Sequence, residues 1–137
     1  MADPRYPVVM IGGVPVVDAP QEIHAANAES FRKILLHAAD PGQVALVVNM
    51  AGTRICDPPG VAVLAWAHGY AVAKGSDLLL VTPPSAAVLG VFALAGIDRL
   101  IPGFATLNEA LKHAHAVVPR PLHRRATPSA EPGSPDA

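Results

Sequence analysis

The sequence predicts an α/β domain in which a central mixed sheet of four to five strands packs against about four helices. Short apolar runs alternate along the chain with segments of helical spacing, which is the pattern of layered sheet and helices. Two of the runs, VALVVNM at 44–50 and LLLVT at 78–82, are continuous and apolar, as in strands covered on both faces. The 137 residues, 51% of them hydrophobic, suffice for one domain with a core and are too few for two.

The first half of the chain begins with a predicted hairpin. Residues 8–11 and 14–17 form two short apolar runs, and Gly12-Gly13 between them supplies the positive φ that a two-residue turn requires. Pro15 predicts one unpaired position in the second strand. Apolar residues then recur at helical spacing within 25–39, which predicts an amphipathic helix closed by Asp-Pro-Gly at 40–42.

The second half continues the alternation. An alanine-rich helix at 61–74 is expected to end at Gly75, a typical left-handed C-terminal cap. Thr106 and Glu109 have the spacing of a capping box, which predicts the start of the last helix. The remaining elements are a helix at 85–95, a short edge strand at 97–101 and that last helix at 107–115.

Composition excludes several classes of partner. Ten basic residues against 11 acidic ones give a net charge of −1, so no strong field favours direct nucleic acid binding. The longest apolar run, 86–97, contains two glycines and is shorter than a membrane span requires, so no membrane partner is expected. The single cysteine, Cys56, precludes an internal disulfide and suits a reducing, cytoplasmic location.

Candidate catalytic chemistry is sparse. Gly12-Gly13 lacks the further glycines of a nucleotide-binding fingerprint, and the six histidines lack ligand spacing, so we expect no cofactor and no metal. Cys56 follows a strand and precedes a helix, where a reactive thiolate is physically feasible. Because no base is identifiable by spacing, an inert buried cysteine is favoured over a thiol enzyme.

Three stretches carry a family resemblance: PQEIHAANAESFRKIL at 20–35, the segment 44–84 that includes ICDPPGVAVLAW, and LAGIDRLIPGFATLNEAL at 94–111. Together they resemble a STAS domain of the anti-sigma factor antagonist type over residues 8–115. The ending GIDRLIPGFATLNEAL is the most specific part, because order, spacing and residue types agree over 16 positions.

The resemblance implies a partner and a site. In that family the turn Asp-Ser-Ser-Gly carries a serine that a kinase-like anti-sigma factor phosphorylates. Here the turn reads Asp57-Pro58-Pro59-Gly60, so both hydroxyls are missing; Asn49 and His24 stand where the family usually has acids. The partner-binding residues implied by the resemblance are His24, Asn49, Asp57, Pro58, Pro59, Gly60 and Val61.

Proline suits the first helical turn, because its φ is already helical and its missing N–H would lack an intrahelical partner. The turn is therefore expected to keep its shape, with Asp57 capping the helix, while losing the phosphosite and two backbone donors that could hold an anion.

The sequence thus predicts a non-enzymatic regulator that binds a kinase-like anti-sigma factor and controls sigma-factor-dependent transcription without serine phosphorylation at this turn. The alternative is a STAS-like sensor or scaffold that binds a small ligand or another STAS protein; a homodimer is also compatible with the sequence. The expected organisation is an N-terminal extension at 1–7, a STAS-like domain at 8–118 and a disordered proline-rich tail at 119–137.

Overall fold

The computed structural model describes residues 7–39 and 44–116. Residues 1–6 of the predicted extension at 1–7, the turn at 40–42 and the tail at 119–137 lie outside the described residues. Seven strands and five helices follow one another in the described part in the order β1(Val8–Ile11), β2(Val14–Asp18), β3(Glu22–Ile23), α1(Ala25–Ala38), β4(Ala45–Asn49), β5(Ile55–Cys56), α2(Pro58–Ala73), β6(Asp77–Val81), α3(Ala86–Ala95), α4(Ile97–Leu100), β7(Gly103–Phe104) and α5(Leu107–Ala116).

The main sheet has five strands in the order β1-β2-β4-β6-β7, which confirms the predicted mixed sheet. β1 and β2 form the antiparallel hairpin, with Gly12 and Gly13 at φ 58° and 82°. The other three pairs of neighbouring strands, β2–β4, β4–β6 and β6–β7, are parallel. Pairing of β2 with β4 begins at Val16, one residue after Pro15, so the proline occupies a position without a partner on β4.

Helices cover both faces of this sheet. Leu46 and Val48 of the central strand β4 point into the larger core, which α1, α2, α3 and α4 complete. Ala45 and Val47 point to the opposite face, where Ala110 and Leu111 of α5 pack on them. The continuous apolar run of β4 is therefore explained by burial on both sides.

The prediction of an edge strand at 97–101 is wrong. Residues 97–100 form the helix α4, and the edge strand β7 follows at Gly103–Phe104. Ile97 and Ile101 are both buried and lie four residues apart, while the three residues between them are exposed; this spacing is helical and does not alternate as in a strand. Gly96 at φ 78° ends α3 and begins α4.

Two further differences concern the segment before α2. The helix begins at Pro58, three residues earlier than the predicted start at Val61, because the prolines occupy its first turn. A separate two-stranded parallel sheet, β3 with β5, was not predicted. Among the described residues, no helix has the length and apolarity needed to cross a membrane.

Candidate partner-binding site

The small sheet of β3 and β5 brings the starts of two helices together. Ile23 pairs with Cys56, and the backbone N–H of Asp57 donates to the carbonyl oxygen of Ile23 over 2.8 Å. His24 and Asp57 come directly after these paired strands and occupy the N-cap positions of α1 and α2. The pairing therefore places two of the predicted site residues beside each other.

Gly60 packs the first turn of α2 against this small sheet. A Cβ added at Gly60 would lie 2.5 Å from Cγ2 of Ile23 and 2.9 Å from Sγ of Cys56. Ile23 is fully buried and cannot move aside without disturbing the core. Close packing therefore requires a glycine at position 60. The absence of a side chain there lets the turn Asp57–Gly60 pack directly on Ile23 and Cys56.

The two prolines lie at the N-terminus of α2 and are exposed together with Asp57. The expected side-chain cap by Asp57 is absent: its carboxylate makes no capping hydrogen bond to the described helix. Pro58 and Pro59 have no N–H to donate, and the N–H of Gly60 donates to the backbone carbonyl of Asp57 over 2.9 Å. The Asp57 carboxylate therefore does not cap α2, and the residue lies exposed on the surface of the turn.

His24 is half-buried. The start of α1 is stabilised by Asn27, which is not among the predicted site residues. The Asn27 Oδ1 atom accepts a 2.9 Å hydrogen bond from the backbone N–H of His24. The Asn27 Nδ2 atom donates to the carbonyl oxygen of Glu22 over 2.8 Å. Asn27 thereby ties α1 to β3, and the signal available in the sequence was an amide three residues after the N-cap.

Asn49 and Thr53 serve the loop that follows β4. Asn49 ends the strand, and its Oδ1 atom accepts from the backbone N–H of Ala51 over 3.0 Å. Thr53 is fully buried, and its hydroxyl donates to the carbonyl oxygen of Pro20 over 2.9 Å. The Asn49 side chain thus has a local structural role, and the hydroxyl nearest to the prolines in the preceding loop is enclosed.

The seven predicted site residues divide by exposure. Asp57, Pro58 and Pro59 are exposed, His24 and Asn49 are half-buried, and Gly60 and Val61 are buried. The surface that a protein can touch at this turn is therefore formed by the first three, with His24 beside them. Gly60 and Val61 are buried beneath that surface and pack against the interior of the domain.

Cys56 lies beneath the turn. The side chain is buried, and burial together with the charge of Asp57 raises the pKa of the Cys56 thiol to about 11. At neutral pH the thiol is therefore protonated, and the thiolate that a nucleophilic mechanism needs is scarce. In the described part of the chain, no group of three or more His, Cys, Asp or Glu residues is arranged to hold a metal ion.

An aromatic pair continues the exposed face of α2 beyond the prolines. Trp66 and Tyr70 are stacked with ring centroids 5.2 Å apart. The Arg32 guanidinium lies 5.0 Å from the Trp66 centroid, and the Lys74 ammonium lies 5.4 Å from that of Tyr70. The sequence signal was two aromatic residues four positions apart on a helix.

A family model described as Mlab, STAS domain, matches residues 9–102. The chain belongs to the STAS domain family. The match covers β1, β2, β4 and β6 of the main sheet, the small sheet of β3 and β5, and the turn at the start of α2, and it ends just before β7. No curated protein sequence matches this STAS domain significantly.

Solved structures show the same fold. An anti-sigma factor antagonist from Mycobacterium paratuberculosis is 21% identical, with a TM-score of 0.73 over 84% of this chain and 99% of that one. An anti-sigma-factor antagonist (STAS) domain protein from Planctomyces limnophilus is 18% identical, with a TM-score of 0.71 over 80% and 96%. The murine Solute Carrier 26 family member A9 anion transporter is 25% identical, with a TM-score of 0.65 over 78% of this chain and 18% of that one.

Proposed function

We propose that this STAS domain is a cytoplasmic, non-enzymatic regulator that binds a kinase-like anti-sigma factor and thereby controls sigma-factor-dependent transcription. The proposal is supported most by the turn at the start of α2, whose residues 57–59 are exposed and whose Gly60 packs closely on Ile23 and Cys56. Structural similarity over 84% and 80% of this chain to an anti-sigma factor antagonist and to an anti-sigma-factor antagonist (STAS) domain protein supports the same class of partner.

In this proposal the partner contacts Asp57, Pro58 and Pro59, with His24 at the edge of the contact. Binding at this turn proceeds without serine phosphorylation, because prolines stand at both hydroxyl positions. Asn49, Gly60 and Val61 contribute by holding the loop and the helix start in position. Proline loses little conformational freedom on binding, which favours affinity at a preformed surface.

The test is a binding titration with purified anti-sigma factor kinases from the source organism, followed through the fluorescence of Trp66, the single tryptophan. Pro59→Glu introduces a charge at the exposed second position of α2. Asn108→Glu introduces the same residue at the second position of α5, on the opposite face of the sheet, and is the matched control. We expect Pro59→Glu to weaken binding at least tenfold and Asn108→Glu to leave it unchanged. Absence of measurable affinity for every such kinase contradicts the proposal.

A second candidate function is a STAS-like sensor or scaffold that binds a small ligand or another STAS protein. It is favoured by the similarity to a segment of an anion transporter, a protein of a different class from the antagonists. Homodimerisation belongs with this candidate, and light scattering of the purified chain distinguishes a monomer from a dimer.

A further inference from the structure

A cavity of about 320 Å³ lies between α3, α4 and the edge of the sheet formed by β6 and β7. None of the seven predicted partner-binding residues lines it. Its volume corresponds to roughly ten water molecules at about 30 Å³ each, and is within the range of small-molecule sites. The cavity therefore offers room for a small organic group at a place separate from the α2 turn.

The walls of the cavity are mainly apolar. Leu80, Phe92 and Ile101 are buried, and Leu89 is 41% exposed, so the apolar lining continues from the core to the solvent-accessible side. Such walls favour the hydrocarbon part of a ligand through the hydrophobic effect.

The polar side chains that line the cavity are acceptors. Asp98 is the one charged residue in the lining, and its side chain makes no hydrogen bond or ion pair within residues 7–39 and 44–116. The Thr82 hydroxyl donates its proton to the carbonyl oxygen of Phe104 over 3.2 Å, which leaves only lone pairs on its oxygen. A carboxylate likewise only accepts hydrogen bonds. The cavity thus matches a group that carries donors and a positive charge.

From these observations we infer that the cavity binds an aliphatic ammonium group. The ammonium donates hydrogen bonds to the Asp98 carboxylate and the Thr82 hydroxyl oxygen, and the alkyl chain lies along Leu80, Leu89 and Phe92. An anionic head group is disfavoured, because it would bring a second negative charge and further acceptors to Asp98. A neutral alcohol retains the apolar contacts and loses the ionic one.

The test compares three probes that share one alkyl chain: hexylamine, hexanol and hexanoate. Each is titrated into the full chain while the backbone amide signals are followed by NMR. We expect saturable shifts at Leu80, Thr82 and Phe92 with hexylamine, about fivefold weaker affinity for hexanol as an exposed ion pair is lost, and weaker affinity still for hexanoate.

Asp98→Asn is expected to abolish the preference for hexylamine over hexanol. Glu109→Gln removes an exposed acid on α5, outside the cavity, and is expected to preserve the preference. Unchanged spectra elsewhere establish that each variant is folded. Equal affinity for the amine and the carboxylate, or shifts that avoid the cavity residues, overturns the inference.

The ammonium can belong to a free amine or to a lysine side chain of a protein. Nα-acetyl-lysine methylamide, titrated in the same way, distinguishes these sources. Binding as tight as that of hexylamine assigns the cavity to a lysine side chain, and binding at least fivefold weaker assigns it to a free amine. Because Asp98 is outside the α2 turn, Asp98→Asn leaves the affinity for an anti-sigma factor unchanged, so the two proposals fail independently.

Discussion

The backbone N–H of Asp57 donates a 2.8 Å hydrogen bond to the carbonyl oxygen of Ile23. This bond joins the end of β3 to the N-cap of α2, and it lies between two residues 34 positions apart in the sequence. The turn that carries the two prolines is therefore attached to the domain both by this hydrogen bond to β3 and by its continuation into α2. Its shape depends on packing at Ile23, Cys56 and Gly60.

Gly60→Ala is expected to lower the free energy of unfolding by about 1–3 kcal/mol, because the added methyl group overlaps Ile23 and Cys56. Gly69→Ala is the matched control in the same helix. A Cβ at Gly69 meets no atom within 4 Å, so alanine should raise the free energy of unfolding by about 0.5–1 kcal/mol through helix propensity. Urea denaturation measures both values. Similar effects of the two substitutions would contradict the close packing of the turn.

Asn27→Ala is expected to destabilise the protein by about 1 kcal/mol, since it removes the hydrogen bonds from His24 and to Glu22 at the start of α1. Asn108→Ala, at an exposed position in the first turn of α5, provides the control and should change the free energy of unfolding by less than about 0.5 kcal/mol. Chemical denaturation gives both values. Equal stability of Asn27→Ala and the wild type would show that the contact is not maintained in solution.

The raised pKa of Cys56 predicts a loss of stability at alkaline pH. The thiol has a pKa of about 11 in the folded chain against a reference of 9.0, so the unfolded chain releases its proton first as the pH rises. The stabilisation is therefore complete below pH 9 and declines between about pH 9 and 11, by about 2–3 kcal/mol in total.

Cys56→Ala removes the contribution of the thiol to the pH dependence of stability. The variant therefore shows the pH dependence that arises from all other titrating groups. The difference in unfolding free energy between wild type and variant, measured at several pH values, should decrease across that window. Alkylation of the native thiol at pH 7 should accordingly be slow. Rapid labelling at neutral pH, with loss of partner binding in Cys56→Ala, would revive the thiol enzyme hypothesis.

The sequence predicted the elements that depend on local pattern. The valine-rich run of β4 and the leucine run of β6 were identifiable because a strand buried on both faces is apolar throughout. The pairing of β3 with β5 was not, because each has two residues and no periodicity can be recognised over that length. The helical spacing of Ile97 and Ile101 was present in the sequence, and the apolar character of the segment was wrongly assigned to a strand.

The site was also predicted only in part. The prolines were expected to fit the first helical turn because of their φ, and the structure places them in the first turn of α2, although the helix itself was predicted to start only at Val61. The cap by Asp57 failed because a side-chain cap needs a free N–H at the second or third helical position: Pro59 has none, and the Gly60 N–H already donates to the Asp57 backbone carbonyl. The stacking of Trp66 on Tyr70 follows from their spacing of four residues on α2. The position of the Arg32 guanidinium over the Trp66 ring depends on how α1 packs on α2, which no local pattern specifies.

The last prediction concerns phosphorylation at the two prolines. Incubation of the chain with ATP and an anti-sigma kinase that binds it should leave residues 53–62 unmodified by mass spectrometry. Thr53, the one hydroxyl residue in that segment, is fully buried, and its Oγ1 atom is engaged with Pro20. A kinase could reach it only after the loop opens.

Replacement of Pro58 and Pro59 by serine restores two hydroxyls and two backbone N–H groups at the start of α2, with a stability change of about 1 kcal/mol. The added donors also create the anion-binding helix terminus that the prolines remove, which favours a phosphate there. We expect the double variant, combined with His24→Asp, to be phosphorylated on serine and to bind its partner more weakly afterwards. Phosphate on Thr53 of the unmodified chain, accompanied by weaker partner binding, would instead show that the phosphorylation switch is retained at another residue.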